Sequence, residues 1–168
     1  MKRVALTIAL ALTVMCFAVA QSNDDPSQVC DAAKVGLYLP DDTQATIDTG
    51  TWIAYSASEA LTVMLDKYDT VFAAKDLSEK NVAKAAAKNG VKDFVFVDTH
   101  SDNGLDFAYG KGTYKDGKGV AHDGFFGLLV NSDVKKKTFF FAFMVPSLKS
   151  KTLYDAILDM VDTMVPME

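Results

Sequence analysis

Positive charge is scarce in this chain of 168 residues, which has 17 lysine and arginine residues against 22 aspartate and glutamate residues. The formal net charge at pH 7 is therefore −5. Nucleic-acid phosphates and anionic lipid surfaces are both bound through basic footprints. The acidic balance thus argues against a nucleic-acid-binding protein and against simple electrostatic adsorption to a membrane.

Residues that form disulfides or hold metals are also few, since the chain has two cysteines and two histidines. It has no histidine pair at metal-ligand spacing within one segment, no activated nucleophile and no Asp-x-Asp-x-Asp-Gly calcium loop. We therefore expect no cofactor and no resident metal. We also expect that the protein is not an enzyme.

The first twenty residues have the pattern of a cleavable secretory signal peptide. Lys2 and Arg3 form a short positive start, an uncharged apolar run follows over residues 4–20, and residues 18–20 give a small-x-small cleavage pattern. The residues that follow are polar and acidic, unlike the basic flank of a retained anchor. We expect cleavage after Ala20, a periplasmic or secreted protein, and no remaining segment that could span a membrane.

Cleavage at that point leaves a single thiol. It removes Cys16 and retains Cys30, so no disulfide can form within one mature chain. In an oxidising compartment Cys30 could be a buried, inert cysteine, the link of a disulfide between two chains, or a thiol with a redox or metal-binding role. The pattern leaves these readings open.

The mature chain is predicted to be one domain. Residues 21–33 are polar and contain Pro26, which predicts a flexible leader. Residues 34–168 are long enough for one hydrophobic core and are predicted to form a single α/β domain. Its predicted element order is β-α-β-α-β-β-β-β-α, which opens with a βαβ unit. That order predicts a mixed sheet of five or six strands with helices packed on it.

The first predicted helix spans residues 51–68, where apolar side chains recur at three- and four-residue spacing. Ser56-x-x-Glu59 has the pattern of a capping box, which would start this helix later. Trp52 and Tyr55 lie in the same segment. The pattern leaves open whether they are core residues or exposed aromatic anchors.

The remaining elements are predicted from shorter patterns. An alanine-rich helix is predicted over 81–88 and an amphipathic helix over 153–164. Four consecutive apolar residues at 94–97 favour a central strand buried on both faces. The very apolar residues 139–144 are also predicted to be buried, because an exposed edge of this kind would promote aggregation. Strands are predicted at 35–39, 70–74, 94–97, 105–109, 125–130 and 138–145.

In this order the segments resemble the small α/β domain shared by the amino-terminal region of TolB and by CsgG, LpoB and PelC. The resemblance is carried by a strand at 35–39, a strand at 68–72 after a long helix, a glycine before a buried strand at 90–97, a hairpin at 127–135 and a closing helix at 153–165. It implies a scaffold or partner-binding role in the bacterial envelope. It carries no catalytic residue over to this chain.

The best candidate site is the segment of Asp98, His100 and Asp102, which follows the predicted third strand. Open α/β sheets bind ligands at that edge, and a histidine beside carboxylates can act as a general base or a metal ligand. The same residues also suit a polar hairpin turn. His122 could join His100 across neighbouring strands in a two-histidine metal site, or could be an exposed turn residue.

These features predict an exported envelope protein that binds an envelope protein or other copies of itself. Two alternatives remain open at this point. One is a periplasmic module that binds a small ligand or a metal through residues 98–102. The other is a hydrolase whose active-site residues are dispersed along the chain.

Overall fold

The computed structural model describes residues 25–146 and 151–167, so the predicted signal peptide lies outside the described residues. Within them the chain forms two α-helices, a 3₁₀ helix (Ala74–Asp76) and ten strands. The helices are α1 (Glu79–Lys88) and α2 (Lys151–Asp162). The strands are β1 (Gln28–Cys30), β2 (Val35–Leu37), β3 (Gln44–Asp48), β4 (Thr51–Ser56), β5 (Leu61–Tyr68), β6 (Lys92–Asp102), β7 (Leu105–Lys115), β8 (Ala121–Asn131), β9 (Thr138–Pro146) and β10 (Val165–Pro166).

Seven strands form one antiparallel sheet in the order β3-β4-β5-β9-β8-β7-β6. Hairpins connect β3 to β5, and further hairpins connect β6 to β9. The pairing of β5 with β9, from Thr62↔Met144 to Tyr68↔Thr138, joins the two groups. The predicted α/β fold, with a mixed sheet of five or six strands, is therefore wrong. The protein is mostly β, because neighbouring strands come from hairpins and not from βαβ units.

The segment predicted as the first helix forms β4 and β5. Its buried residues alternate along each strand, as Trp52 and Ala54 do in β4 and Val63 and Leu65 do in β5. That is the two-residue period of a strand with one face in the core. The opposite face of these strands also carries apolar residues. Together the two faces place apolar residues three and four positions apart, so the segment was mistaken for a helix. The structure also separates the two aromatic residues, since Trp52 is 6% exposed and Tyr55 is 49% exposed.

A carboxylate from outside the segment holds the turn between β4 and β5. Asp42 accepts hydrogen bonds from Ser56 Oγ at 2.7 Å and from the backbone N–H of Ser58 at 2.8 Å. These bonds hold the pKa of Asp42 below its usual range, and the bond from Ser56 has the largest effect. Ser56 Oγ in turn accepts the N–H of Glu59 at 3.4 Å. The bond expected of a capping box is thus made, but it closes a turn between strands.

Two of the predicted helices are confirmed, as α1 and α2. Gly90, with φ of +80°, follows the end of α1 in the left-handed conformation that ends many helices. The predicted strand at 70–74 is wrong. There the N–H of Phe72 donates to Thr138 Oγ1 at 2.8 Å, and the chain then enters the 3₁₀ helix.

Strand β6 lies at an edge of the sheet, so the prediction of a doubly buried central strand at 94–97 is wrong. Val95 and Val97 are 54% and 40% exposed. The pairing of β6 with β7 shifts register twice, between Lys92 and Val95 and between Phe96 and Asp98. Phe94 and Phe96 pack against the core while Val95 and Val97 face outward, so this edge strand has only one buried face, although its four residues are all apolar.

Apolar side chains cover both faces of the large sheet. On one face, Ile157 and Val161 of α2 join a core that includes Phe107 and Phe141. On the other face, α1 packs over β6, β7 and β8. Residues 139–144 are buried in β9, as predicted, because β9 is the central strand of the sheet.

The strands β1, β2 and β10 form a second, small sheet on the α2 side of the large one. Asn131, at the end of β8, donates through Nδ2 to the carbonyl oxygens of Ala33 at 3.0 Å and Lys34 at 2.8 Å. This amide ties the small sheet to the large one. Strand β1 lies inside residues 21–33, so part of the predicted flexible leader is paired in a sheet.

Candidate functional site

The structure places the predicted site residues Asp98, His100 and Asp102 on the edge strand β6. They pair in register with Tyr109, Phe107 and Leu105 of β7. Because alternate residues of a strand share a face, the three side chains lie in a row on the face that α2 covers farther in. The segment is therefore the end of a long strand and not a loop at the end of a parallel sheet.

His100 is held by aromatic packing. Its ring stacks on the buried ring of Phe107, with 4.8 Å between the ring centroids and 23° between the planes. The imidazole thus covers Phe107 at the margin of the hydrophobic core. This packing explains a half-buried histidine on an edge strand without a ligand.

Tyr109 connects this row to α2, which the sequence analysis missed. Its hydroxyl donates to Asp162 Oδ1 at 2.7 Å. Burial, the hydrogen bond to Asp162 and then the negative charges of Asp162 and Asp98 raise the pKa of Tyr109 well above its ordinary value. The tyrosine is therefore a neutral hydrogen-bond donor near neutral pH, so it is suited to bracing α2 and unsuited to acting as a base.

His122 lies far from His100, on β8. Its neighbour Tyr114 and the neighbour of His100, Phe107, are seven residues apart on β7, which corresponds to roughly 23 Å along a strand. The structure therefore does not bring the two histidines together. His122 Nε2 instead lies 3.4 Å from Asp116 Oδ2.

Asp116 organises the turn between β7 and β8. Its Oδ1 accepts the N–H groups of Val120 at 2.8 Å and Lys118 at 2.9 Å. These bonds lower the pKa of Asp116, and the bond from Val120 has the largest effect. The hydrogen bond and charge of His122 lower it further. His122 is thus a partly buried strand residue at the start of β8, with a side chain 18% exposed, and it supports the neighbouring turn through Asp116.

A shallow cleft of about 400 Å³ opens between the 3₁₀ helix and the edge of the sheet at β6 and β7. Its lining residues are Ala74, Lys75, Leu77, Thr99, His100, Ser101, Asp106 and Phe107. The volume falls in the range of small-molecule sites. The polar groups are one ammonium, two hydroxyls and a carboxylate beside the imidazole. Such a cleft could orient a small polar molecule, but it contains no nucleophile–base pair at hydrogen-bond distance among the described residues.

Cys30 is 1% exposed in β1, and burial raises the pKa of its thiol. A disulfide between two chains through Cys30 would therefore require β1 to leave the small sheet. Among residues 25–146 and 151–167, no group of three or more histidine, cysteine, aspartate or glutamate side chains is arranged to hold a metal ion.

A second surface of interest lies at the other end of the sheet, where the sequence predicted a helix. On the face that α1 covers over β6, β7 and β8, strands β3, β4 and β5 carry Thr46, Ile53, Tyr55 and Met64 side by side. We call these four residues the open sheet surface. Ile53 and Met64 are half-buried, and Tyr55 is half-exposed. In the sequence, this surface could have been found by interpreting residues 51–56 as a strand, because Tyr55 then lies on the face opposite the buried Trp52 and Ala54.

Comparison with known proteins adds a likeness of fold. No protein-family model and no curated protein sequence matches the chain. The solution structure of cyanobacterial PsbP (CyanoP) from Synechocystis sp. PCC 6803 is similar, with a TM-score of 0.55 and 10% identity over 83% of this chain and 90% of that one. LpqN of Mycobacterium tuberculosis, described as involved in cell envelope biogenesis, has a TM-score of 0.48 and 11% identity over 80% of this chain and 83% of that one.

The chain therefore has a fold similar to that of cyanobacterial PsbP. At 10% identity the similarity establishes the fold alone. The closer resemblance to the TolB, CsgG, LpoB and PelC domains stays a prediction. In the part of the chain that is described, neither helix combines the length and the apolar character needed to cross a membrane.

Proposed function

We propose that this protein is an exported, non-enzymatic domain of the cell envelope that acts by binding protein. The observation that carries the proposal is the open sheet surface, where helix cover ends and Tyr55 is left 49% exposed. The signal-peptide pattern of residues 1–20 supports export.

The open sheet surface has the composition of a protein-binding site. Tyr55 and Ile53 follow each other on one face of β4, and Met64 lies beside Ile53 on β5. Polar residues flank them, with Gln44 and Thr62 on either side of Tyr55. An apolar centre with a polar rim is typical of interfaces, and tyrosine is among the residues that contribute most to binding.

The cleft beside His100 supports the alternative of small-ligand binding less well. His100 is already packed on Phe107, and Asp98 and Asp102 lie in a row on an edge strand, not around a common point. The two histidines that would make a metal site belong to different parts of the sheet. Protein binding therefore remains the better proposal.

A photo-crosslinking experiment tests the proposal. A photoreactive amino acid is introduced at position 55 and, as a matched control, at Lys84, which is exposed on α1. Cells that export the protein are irradiated, and adducts are identified by mass spectrometry. We expect adducts of one defined mass at position 55, containing either an envelope protein or a second copy of the chain, and none at position 84.

Equal labelling at the two positions, or none at either, would contradict the proposal. Equal labelling would mean that contact at position 55 reflects only random collision. The absence of any adduct would mean that the open sheet surface faces water in the cell.

A further inference from the structure

Strand β3 is an unprotected edge of the large sheet. Within the described residues it pairs with β4 on one side and with no strand on the other. All five of its residues are exposed, and Ile47 is 71% exposed, which is the highest value among the large apolar residues described. An edge with free backbone groups and an exposed apolar side chain can pair with a further strand.

The opposite edge shows how this protein protects a strand. β6 begins with Lys92 and Asp93, has two register shifts against β7, and carries Asp98 and Asp102 in its last five residues. Charges and bulges of this kind are the usual means of preventing strand addition. β3 has no lysine, no proline and no register shift against β4, and Asp48 is its one charged residue. The β6 edge is thus protected against the addition of a further strand, whereas the β3 edge is not.

The hairpin geometry shows which backbone groups of β3 point outward. Thr49 and Gly50 both have positive φ, as in a two-residue type I′ turn, so Asp48 and Thr51 form the hydrogen-bonded pair next to the turn. Hydrogen-bonded and non-hydrogen-bonded pairs alternate along an antiparallel ladder. Gln44 and Thr46 therefore also bond to β4. The N–H and C=O groups of Ala45 and Ile47 point away from the sheet.

We propose that β3 pairs antiparallel with β3 of a second copy, around a two-fold axis at Thr46. In this register Ala45 lies opposite Ile47 of the second copy, and Ile47 lies opposite its Ala45. These are the residues whose backbone groups point outward, so the register allows four hydrogen bonds across the axis. All five residues of each strand are paired, and the two seven-stranded sheets become continuous.

The side chains of β3 are complementary to themselves in this register. Asp48 lies opposite Gln44 of the second copy, whose amide can donate to the carboxylate, so no like charges face each other. Ile47 lies against Ala45 of the second copy, which leaves room for the larger side chain. This self-complementarity indicates a second copy of the chain, because another protein would need a matching strand that nothing here specifies. The interface is small, so we expect a concentration-dependent dimer.

This inference rests on the proposed function and names the bound protein as a second copy. A cysteine scan tests it. In the dimer, Thr46 residues of the two copies form a non-hydrogen-bonded pair with Cα atoms about 4.5 Å apart, within disulfide range. Gln44 residues would lie roughly 13 Å apart along the strands. We expect Thr46→Cys to form a covalent dimer under mild oxidation, and Gln44→Cys and the parent protein to stay monomeric under denaturing, non-reducing electrophoresis.

A charge exchange tests the same register without a new thiol. Ala45→Lys/Ile47→Lys places lysine opposite lysine, and Ala45→Asp/Ile47→Asp places aspartate opposite aspartate. Light scattering on a sizing column should show each double variant as a monomer and their mixture as a dimer. Val95→Lys/Val97→Lys on the β6 edge is the matched control and should dimerise like the parent protein. Circular dichroism confirms that each variant is folded.

The outcomes separate this inference from the proposed function. If Thr46→Cys stays monomeric and the mixed charge variants do not associate, the pairing of two copies is wrong. Adducts with another envelope protein at position 55 would then still support the proposed function. If position 55 also yields no adduct, both fail. Equal crosslinking at positions 46 and 44 would overturn the proposed register.

Discussion

Tyr109 shows how one hydroxyl fixes the position of a helix. It lies on β7 and donates to Asp162 at the end of α2, so a bond between two side chains joins elements that are 53 residues apart in sequence. The phenol lies under α2 while the carboxylate is exposed to water. Water therefore solvates the charge of Asp162, and Asp162 accepts the hydrogen bond that the buried hydroxyl of Tyr109 donates.

Removing this hydroxyl should lower stability modestly and change its pH dependence. Tyr109→Phe should lower the free energy of unfolding by about 1 kcal/mol at neutral pH, the usual net worth of one hydrogen bond. The pKa of Tyr109 is higher in the folded than in the unfolded protein, so its contribution is complete below pH of about 10 and is lost as pH rises toward the folded pKa. The variant should therefore lose less stability than the parent above that pH, as measured by urea unfolding.

Two comparisons isolate this effect. Tyr154, whose pKa burial raises to about 12, titrates in the same alkaline range and is present in both proteins, so the difference between parent and variant reports Tyr109 alone. Asp162→Asn keeps an acceptor oxygen and should lose less stability at neutral pH than Asp162→Ala. Parallel alkaline curves for Tyr109→Phe and the parent would contradict the account.

At the scale of the elements, Gly124 lies where the backbones of the neighbouring strands β8 and β9 leave no room for a side chain. A Cβ atom added at Gly124 would stand 2.1 Å from the carbonyl oxygen of Phe143. That oxygen belongs to the backbone of a paired strand, so it cannot rotate away. The glycine is therefore required by the distance between strands and not by a turn.

Gly124→Ala should consequently destabilise the protein by about 1–3 kcal/mol, as overpacking in a core does. Gly117→Ala is the matched control, because a Cβ atom there meets nothing within 4 Å and its φ is not positive. It should change stability by less than about 0.5 kcal/mol. Urea unfolding of the two variants checks the difference. Equal stabilities would mean that β8 and β9 can separate to admit a methyl group.

The elements also show what could be predicted from the sequence. Helix α1, helix α2 and the buried strand β9 were predictable, because capping residues, a steady helical period and a long apolar run are local signals. The β4–β5 hairpin was not, because the carboxylate that closes its turn belongs to Asp42, outside the segment. For the candidate site, the sequence pointed to Asp98, His100 and Asp102, but it did not show that they lie on an edge strand. It also did not reveal the packing of His100 on Phe107 or the hydrogen bond from Tyr109 to Asp162.

At the scale of the whole molecule, the pairing of β5 with β9 decides whether the chain behaves as one unit. β4 and β5 come from the first half of the chain and β7 to β9 from the second, and they share one core. Leu65 of β5 faces Phe141 of β9 and Trp52 of β4 in that core. Such long-range pairing forms slowly during folding but couples the parts it joins.

Leu65→Ala should therefore weaken both halves together. Loss of this buried side chain should cost about 2–5 kcal/mol. In hydrogen–deuterium exchange, peptides covering β4 and β8 should lose protection by the same factor, because their slowest amides exchange through global unfolding. Val71→Ala, at a 56% exposed position, is the control and should leave protection in both peptides unchanged. Loss of protection in β4 with β8 unaffected would show that the two groups of strands unfold separately, and that the predicted single domain over residues 34–168 is in fact two cooperative units.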